Sequence, residues 1–124
     1  MKNLSRKNAV LVLGLAVASL ALFSSSTSAH HGWSNYDEKK TLNFTGIIRE
    51  SSYENPHGMA QLDVDGTMWT VVLAPPSRMQ ARGLSQEMLK PGASATVEGY
   101  PHRSTQGEMR AERITIDGKT VELR

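Results

Sequence analysis

The sequence predicts an all-β fold with a short helical segment: a small five- to six-stranded OB-like antiparallel barrel. Three observations lead there. Three stretches with the two-residue alternation of strands come first, a segment without that alternation follows at 77–92, and two or three further strands close the chain. Asp-Gly pairs at 65–66 and 117–118 separate alternating runs, a strong signal for tight hairpin turns. Three antiparallel strands, a helix between the third and fourth, and a closing strand is the order of a small Greek-key barrel. Closure also hides sheet edges in a chain too small to cover them with helices. The competing architecture is a plain antiparallel sheet with one helix on a face.

Thr41 to Glu50 (TLNFTGIIRE) alternates Leu42, Phe44 and Ile48 around Gly46, a strand with a bulge or bend expected at the glycine. Ser51 to Gly58 (SSYENPHG) is loop, because Asn-Pro and Gly are turn punctuation. Met59–Val64 and Met68–Leu73 form a hairpin across Asp65-Gly66-Thr67, and Ala74-Pro75-Pro76 ends it. Ser77 is placed to cap a short turn running to Arg82 and Gly83, and Ser85 to cap a second over Gln86–Lys90. Strand resumes at Ser94–Tyr100 and stops at Pro101, which has no N–H to give to a ladder. The loop PHRSTQG leads to a long strand, Met109–Ile116, and Lys119–Leu123 folds back after Asp117-Gly118.

Length and composition bound the rest. The 124 residues, 39% apolar and 21% charged, make one small globular domain. With no cysteine there is no disulfide framework, thiolate zinc site, iron–sulfur cluster or Cys nucleophile. The isoelectric point of 9.1 suggests a basic protein, but the charge is unevenly placed. Lys2, Arg6 and Lys7 precede a neutral, mostly apolar run from Ala9 to Phe23, and Ser24 to Ala29 is small and polar. That order describes a secretory signal peptide over residues 1–29. The run is shorter than the roughly 20 apolar residues of a membrane span, so no transmembrane anchor is expected after cleavage. Of 14 Lys and Arg, removal of those three leaves 11 against 12 Asp and Glu, a formal charge of −1. Nucleic-acid binding thereby loses its electrostatic footprint. The reading places the protein in the periplasm or outside the cell, as an N-terminal arm at 30–40 followed by the barrel domain at 41–124.

The cleavage point decides what the arm presents. Thr27-Ser28-Ala29 puts small residues at the −3 and −1 positions, and a cut after Ala29 leaves His30-His31-Gly32-Trp33 at the new terminus. A cut after Ser28 leaves Ala29-His30-His31. Either cut places a free amine beside two imidazoles.

His30, His31, His57 and His102 are all the histidines present, and none lies in an expected strand. His57 follows Pro56 in the loop after the first strand, and His102 follows Pro101 in the loop after the fourth. In an OB barrel those two loops flank one binding face. An extended arm of eleven residues spans at most roughly 36–40 Å, enough to run back along the first strand to that face. Neutral imidazole suits Cu, Zn and Ni, an amine adds a nitrogen donor, and copper(II) heads the Irving–Williams order. The expected site is therefore a copper ion held by His30, His31, His57 and His102, with zinc or nickel as lesser choices. Met59 offers an additional thioether to Cu(I). The plain alternative for His57 and His102 is a turn or hydrogen-bonding role.

Other features carry less. Trp33, Tyr36, Tyr53, Trp69 and Tyr100 are candidates for a stacking platform, with Trp33 and Tyr53 as ligand-face aromatics, against the plainer reading that they fill a small core. Arg103, Arg110 and Arg113 interleave with Glu108 and Glu112, which reads as a solvated, self-neutralising face. No nucleophile–base order or paired carboxylates support catalysis.

The elements HHGW at 30–33, NPH at 55–57, the Trp-centred strand at 67–73 followed by APP, RGL at 82–84 and GYPHR at 99–103 together resemble a family of small exported bacterial proteins known only as a domain of unknown function. The resemblance spans nearly all of the chain after the signal and implies a periplasmic or secreted bacterial protein, with no established activity or catalytic residues. Three functions stand open: metal binding for sequestration or delivery, a non-metal module for a small molecule, glycan or envelope protein, and a copper-dependent oxidoreductase.

Overall fold

The computed structural model describes residues 32–124, so the segment expected as a signal peptide, and His30 and His31 of the arm, lie outside the described residues. Strands β1 (Leu42–Ser52), β2 (Met59–Val64) and β3 (Thr67–Val72) form an antiparallel meander. Helix α1 (Pro76–Ala81) and a 3-10 turn (Gln86–Leu89) follow, then β4 (Ser94–Pro101), β5 (Glu108–Ile116) and β6 (Lys119–Glu122). The hydrogen-bonded order is β3-β2-β1-β4-β5-β6, and β5 also pairs in parallel with β3. That pairing closes the first five strands into a barrel and leaves β6 as an extra strand on β5. The open-sheet alternative is thereby excluded.

Strand β1 belongs to both sides of the barrel. Its first half pairs with β4 from Leu42↔Gly99 to Ile47↔Ser94, and its second half with β2 from Ile47↔Asp63 to Ser52↔Met59. The bulge expected at Gly46 falls between Ile48 and Glu50 instead, and the strand runs on to Ser52. Gly46 has another reason to be glycine: a Cβ there would collide with the backbone carbonyl of Asp63 as β1 passes between its two neighbours. The two Asp-Gly turns form as expected, with φ of 51° and 87° at Asp65 and Gly66 and of 50° and 76° at Asp117 and Gly118.

The β3–β4 connection fills the barrel rather than lying on a face. Met79, Leu84 and Leu89 are fully buried and join Ile48, Leu62, Val71, Leu73, Val97 and Ile114 in one core. The serine caps do not form. Helix α1 starts two residues earlier than expected, with Pro75 at the N-cap and Pro76 in its first turn, and neither it nor the turn after Ser85 has a side-chain cap bond. Proline supplies the first-turn geometry without needing a donor there.

Strand β5 keeps two phases. Met109 and Ala111 face the core, then Ile114 and Ile116 do, a spacing of three where alternation allows two or four. A register shift against β4 absorbs the difference: Gly99 pairs with Ala111 and Glu98 with Arg113, so Glu112 is the extra residue.

The arm packs against the barrel. Tyr36 is 7% exposed and bridges to His102, Asp37 N–H donates to the Pro101 carbonyl at 2.9 Å, and Arg103 N–H donates to the Asn35 carbonyl at 2.8 Å. The Trp33 ring lies between the guanidinium groups of Arg110 and Arg124, each 4.4 Å from its centroid. Gly46→Ala, which forces a Cβ into a backbone carbonyl in the middle of the sheet, should cost about 1–3 kcal/mol of stability in urea unfolding.

Candidate binding site

The closing register lines up one row of residues across four strands. Met59 pairs with Val72, Val72 with Arg110, and Arg110 with Tyr100. Met59, Val72 and Arg110 form one wall of a cavity of about 260 Å³, whose other walls are Pro56 and His57 from the β1–β2 loop and Gly32, Asn35 and Tyr36 from the arm. The peptide bond before Pro56 is cis.

At the centre, Arg110 Nη2 lies 3.2 Å from His57 Nε2. A guanidinium only donates, so the ring accepts at Nε2 and its hydrogen sits on Nδ1. Burial, then the positive charges of Arg110 and Arg78, hold the His57 pKa below its ordinary value. Arg110 itself is only 5% exposed, which corrects the expectation that it belongs to a solvated face. Its phase on β5 does point it away from the apolar core, but the arm covers that side. Arg113 matches the expectation, pairing with Glu98 at 2.8 Å and Glu122 at 2.9 Å.

His102 sits on the other side of Tyr36, its ring 5.1 Å from the tyrosine ring in an edge-on contact. Its Nδ1 accepts backbone N–H bonds from Ser104 at 3.1 Å and Thr105 at 2.9 Å. The remaining nitrogen, Nε2, is 3.6 Å from Glu108. Glu108 also accepts the Tyr36 hydroxyl at 2.9 Å, and burial together with that carboxylate raises the Tyr36 pKa well above the usual phenol range. Tyr36 therefore touches both histidine surroundings: it lines the cavity with His57 and packs on His102.

The loops of His57 and His102 thus meet the same arm residue, but the two histidines do not line the cavity together. His57 and Met59 share the cavity, whereas both ring nitrogens of His102 face partners. Among the described residues, no three of His, Asp and Glu come together as a group able to hold a metal. A metal in the cavity would need donors from His30 and His31. Trp33 packs edge-on against Tyr100 at 6.1 Å as well as between the two arginines. The Tyr53 hydroxyl donates to the Leu84 carbonyl at 2.5 Å and fastens the loop to the core, so it does not serve the cavity. The residue that sequence reasoning missed is Arg110. Its nearest signal is position: a cation between Met109 and Ala111 in the closing strand, hidden by the even balance of charges around it.

Because the unfolded ring takes up its proton near 6.5 and the folded ring only at lower pH, the unfolded state binds more protons in that interval. Stability should therefore fall as pH drops through it. An NMR titration should show His57 protonating below 6.5, and Arg110→Gln should move that midpoint upward.

The model of a family of unknown function, DUF6152, matches residues 16–110, and the chain belongs to that family. No curated protein matches the chain. Among solved structures, the crystal structure of the ZRD-deleted mutant of TiaS in complex with agmatine is similar at a TM-score of 0.51 and 17% identity, over 70% of this chain and 27% of that one. A complex of TiaS with a transfer RNA and ATP is similar at a TM-score of 0.48 and 20% identity, over 72% of this chain and 20% of that one. The chain spans 27% and 20% of those longer chains, and its likeness to the first is one of fold. Among the described residues no helix is long and apolar enough to cross a membrane.

Proposed function

We propose that this member of the DUF6152 family is an exported metal-binding protein that takes copper at the barrel mouth through His30, His31 and His57, with Met59 as a thioether donor. The supporting observation is that Gly32 lines the same cavity as His57 and Met59. His31 is the next residue back along the chain, one Cα spacing of about 3.8 Å from Gly32. A signal peptide over residues 1–29, cut after Ala29, would free the His30 amine as a further nitrogen donor. Sequestration or delivery in the periplasm needs no more than such a site.

The donor set proposed here leaves out His102, whose Nδ1 is held by two backbone amides and whose Nε2 faces Glu108. Coordination by His57 would displace the guanidinium now bonded to its Nε2, and Arg110 would oppose a cation there by charge. A second reading, a module for a small non-metal ligand, is favoured by that same arginine.

The test is copper(II) titration of protein produced by export, so that the α-amine is free, beside a version with Met ahead of His30. One-to-one binding that weakens at least tenfold when the amine is blocked, and again in His57→Ala, supports the reading, while Arg110→Gln should tighten it. Affinity equal to that of a generic His-bearing peptide, unmoved by His57→Ala, would remove it.

A further inference from the structure

A guanidinium buried without a counter-ion is costly, and Arg110 is in that position. It is 5% exposed, it lines the cavity, and its Nε has no hydrogen-bond partner. Its neighbours are the neutral acceptor of His57 at 3.2 Å, the face of Trp33 at 4.4 Å and the backbone at Gly32, where an added Cβ would meet Nη1 at 3.0 Å. Among the described residues no carboxylate pairs with it. Glu108, two residues earlier on the same strand, is turned to the Tyr36 hydroxyl and His102. The preceding segment cannot supply one either, since residues 1–31 contain no Asp or Glu.

The rest of the cavity says what kind of anion fits. Pro56, Met59 and Val72 give it apolar walls, and Tyr36 adds an aromatic one. Among the described residues Arg110 is the one cation that lines it, with Arg78 and Arg124 adding positive charge from outside the lining. A single planar fork with a free Nε–H matches one carboxylate group, whereas phosphate recognition ordinarily gathers several donors. The chemistry is therefore one negative group on an apolar body.

We propose that the cavity is a binding site for a small carboxylate ligand, its carboxylate on Arg110 and its apolar part against Pro56, Met59 and Val72. This names a ligand class for the non-metal reading and does not depend on copper. A bound carboxylate would also offset the positive charge beside His57.

The test uses protein covering residues 30–124, stripped with EDTA, and three probes: benzoate, its neutral counterpart benzamide, and inorganic phosphate. Benzoate should bind saturably in calorimetry or ligand-observed NMR, with benzamide at least about tenfold weaker. Arg110→Gln should lose at least about tenfold in benzoate affinity, whereas Arg49→Gln, which removes only the exposed pair with Asp63, should not change it. Should Arg110→Gln fail to fold, the wild-type protein still decides: benzoate should shift the Arg110 Nε–H resonance and benzamide should not. Equal affinity for benzoate and benzamide, tighter binding of phosphate than of benzoate, or no benzoate binding up to about 10 mM would each overturn the proposal. EDTA keeps the two readings separate. Loss of copper binding with benzoate binding intact removes only the metal reading, and the reverse outcome removes only this one.

Discussion

The parallel pairing of β3 with β5 is the constraint on which the rest of the molecule depends. It is short, three residue pairs from Thr70↔Glu108 to Val72↔Arg110, yet it turns a curled sheet into a ring and removes the free edge of β3. It also makes neighbours of segments that the chain keeps far apart. Without it, Val72 would have no strand partner in Arg110, and the wall of the cavity that Met59, Val72 and Arg110 form together would come apart. A long-range pairing of this kind must offset the entropy of closing a long loop, and it holds best when a core lies behind it, which is the service of Met79, Leu84 and Leu89 inside the barrel.

The arm is the second determinant. Residues 32–37 cover the outer side of β5, and they do so with contacts of different kinds: a backbone bridge at Tyr36, a tyrosine–carboxylate bond to Glu108, and an indole between two guanidinium groups. The result is that a barrel surface becomes an interior. Arg110 is buried because the chain comes back over it, not because its strand turns it inward. The electrostatics follow from that cover: desolvation lowers the pKa of both His57 and Arg110 and raises that of Tyr36.

Much of this was legible in the residues. The alternation of β2 and β3, the Asp65-Gly66 and Asp117-Gly118 turns and the helical interval before β4 act locally, and local chemistry reads directly from a sequence. The topology brings the His57 and His102 loops to the same arm residue, Tyr36, but only His57 lines the cavity. What stayed hidden depends on contacts between distant segments. Gly46 looked like a bulge because its neighbour across the sheet, Asp63, is invisible to a local reading. Arg110 looked solvated because alternation reports direction within a strand and says nothing of what covers it. His102 looked like a ligand until the backbone amides of Ser104 and Thr105 took its Nδ1.

Glu112 carries a different consequence. Strand β5 reads in two frames, one for Met109 and Ala111 and one for Ile114 and Ile116, and this single residue is the splice between them. Its side chain accepts the Tyr100 hydroxyl, and its carbonyl accepts Leu123 N–H at 2.7 Å, one step past the last β5–β6 pair, Arg113↔Glu122. A chain shortened by that one residue would regain unbroken alternation, with every core position still facing inward and no residue left outside the ladder. A chain lengthened by one would leave two residues unpaired there, or add an inward-facing position to a core that is already full. By alternation the strand therefore accepts loss more readily than gain at this point, an asymmetry set against the Tyr100 and Leu123 bonds that Glu112 holds.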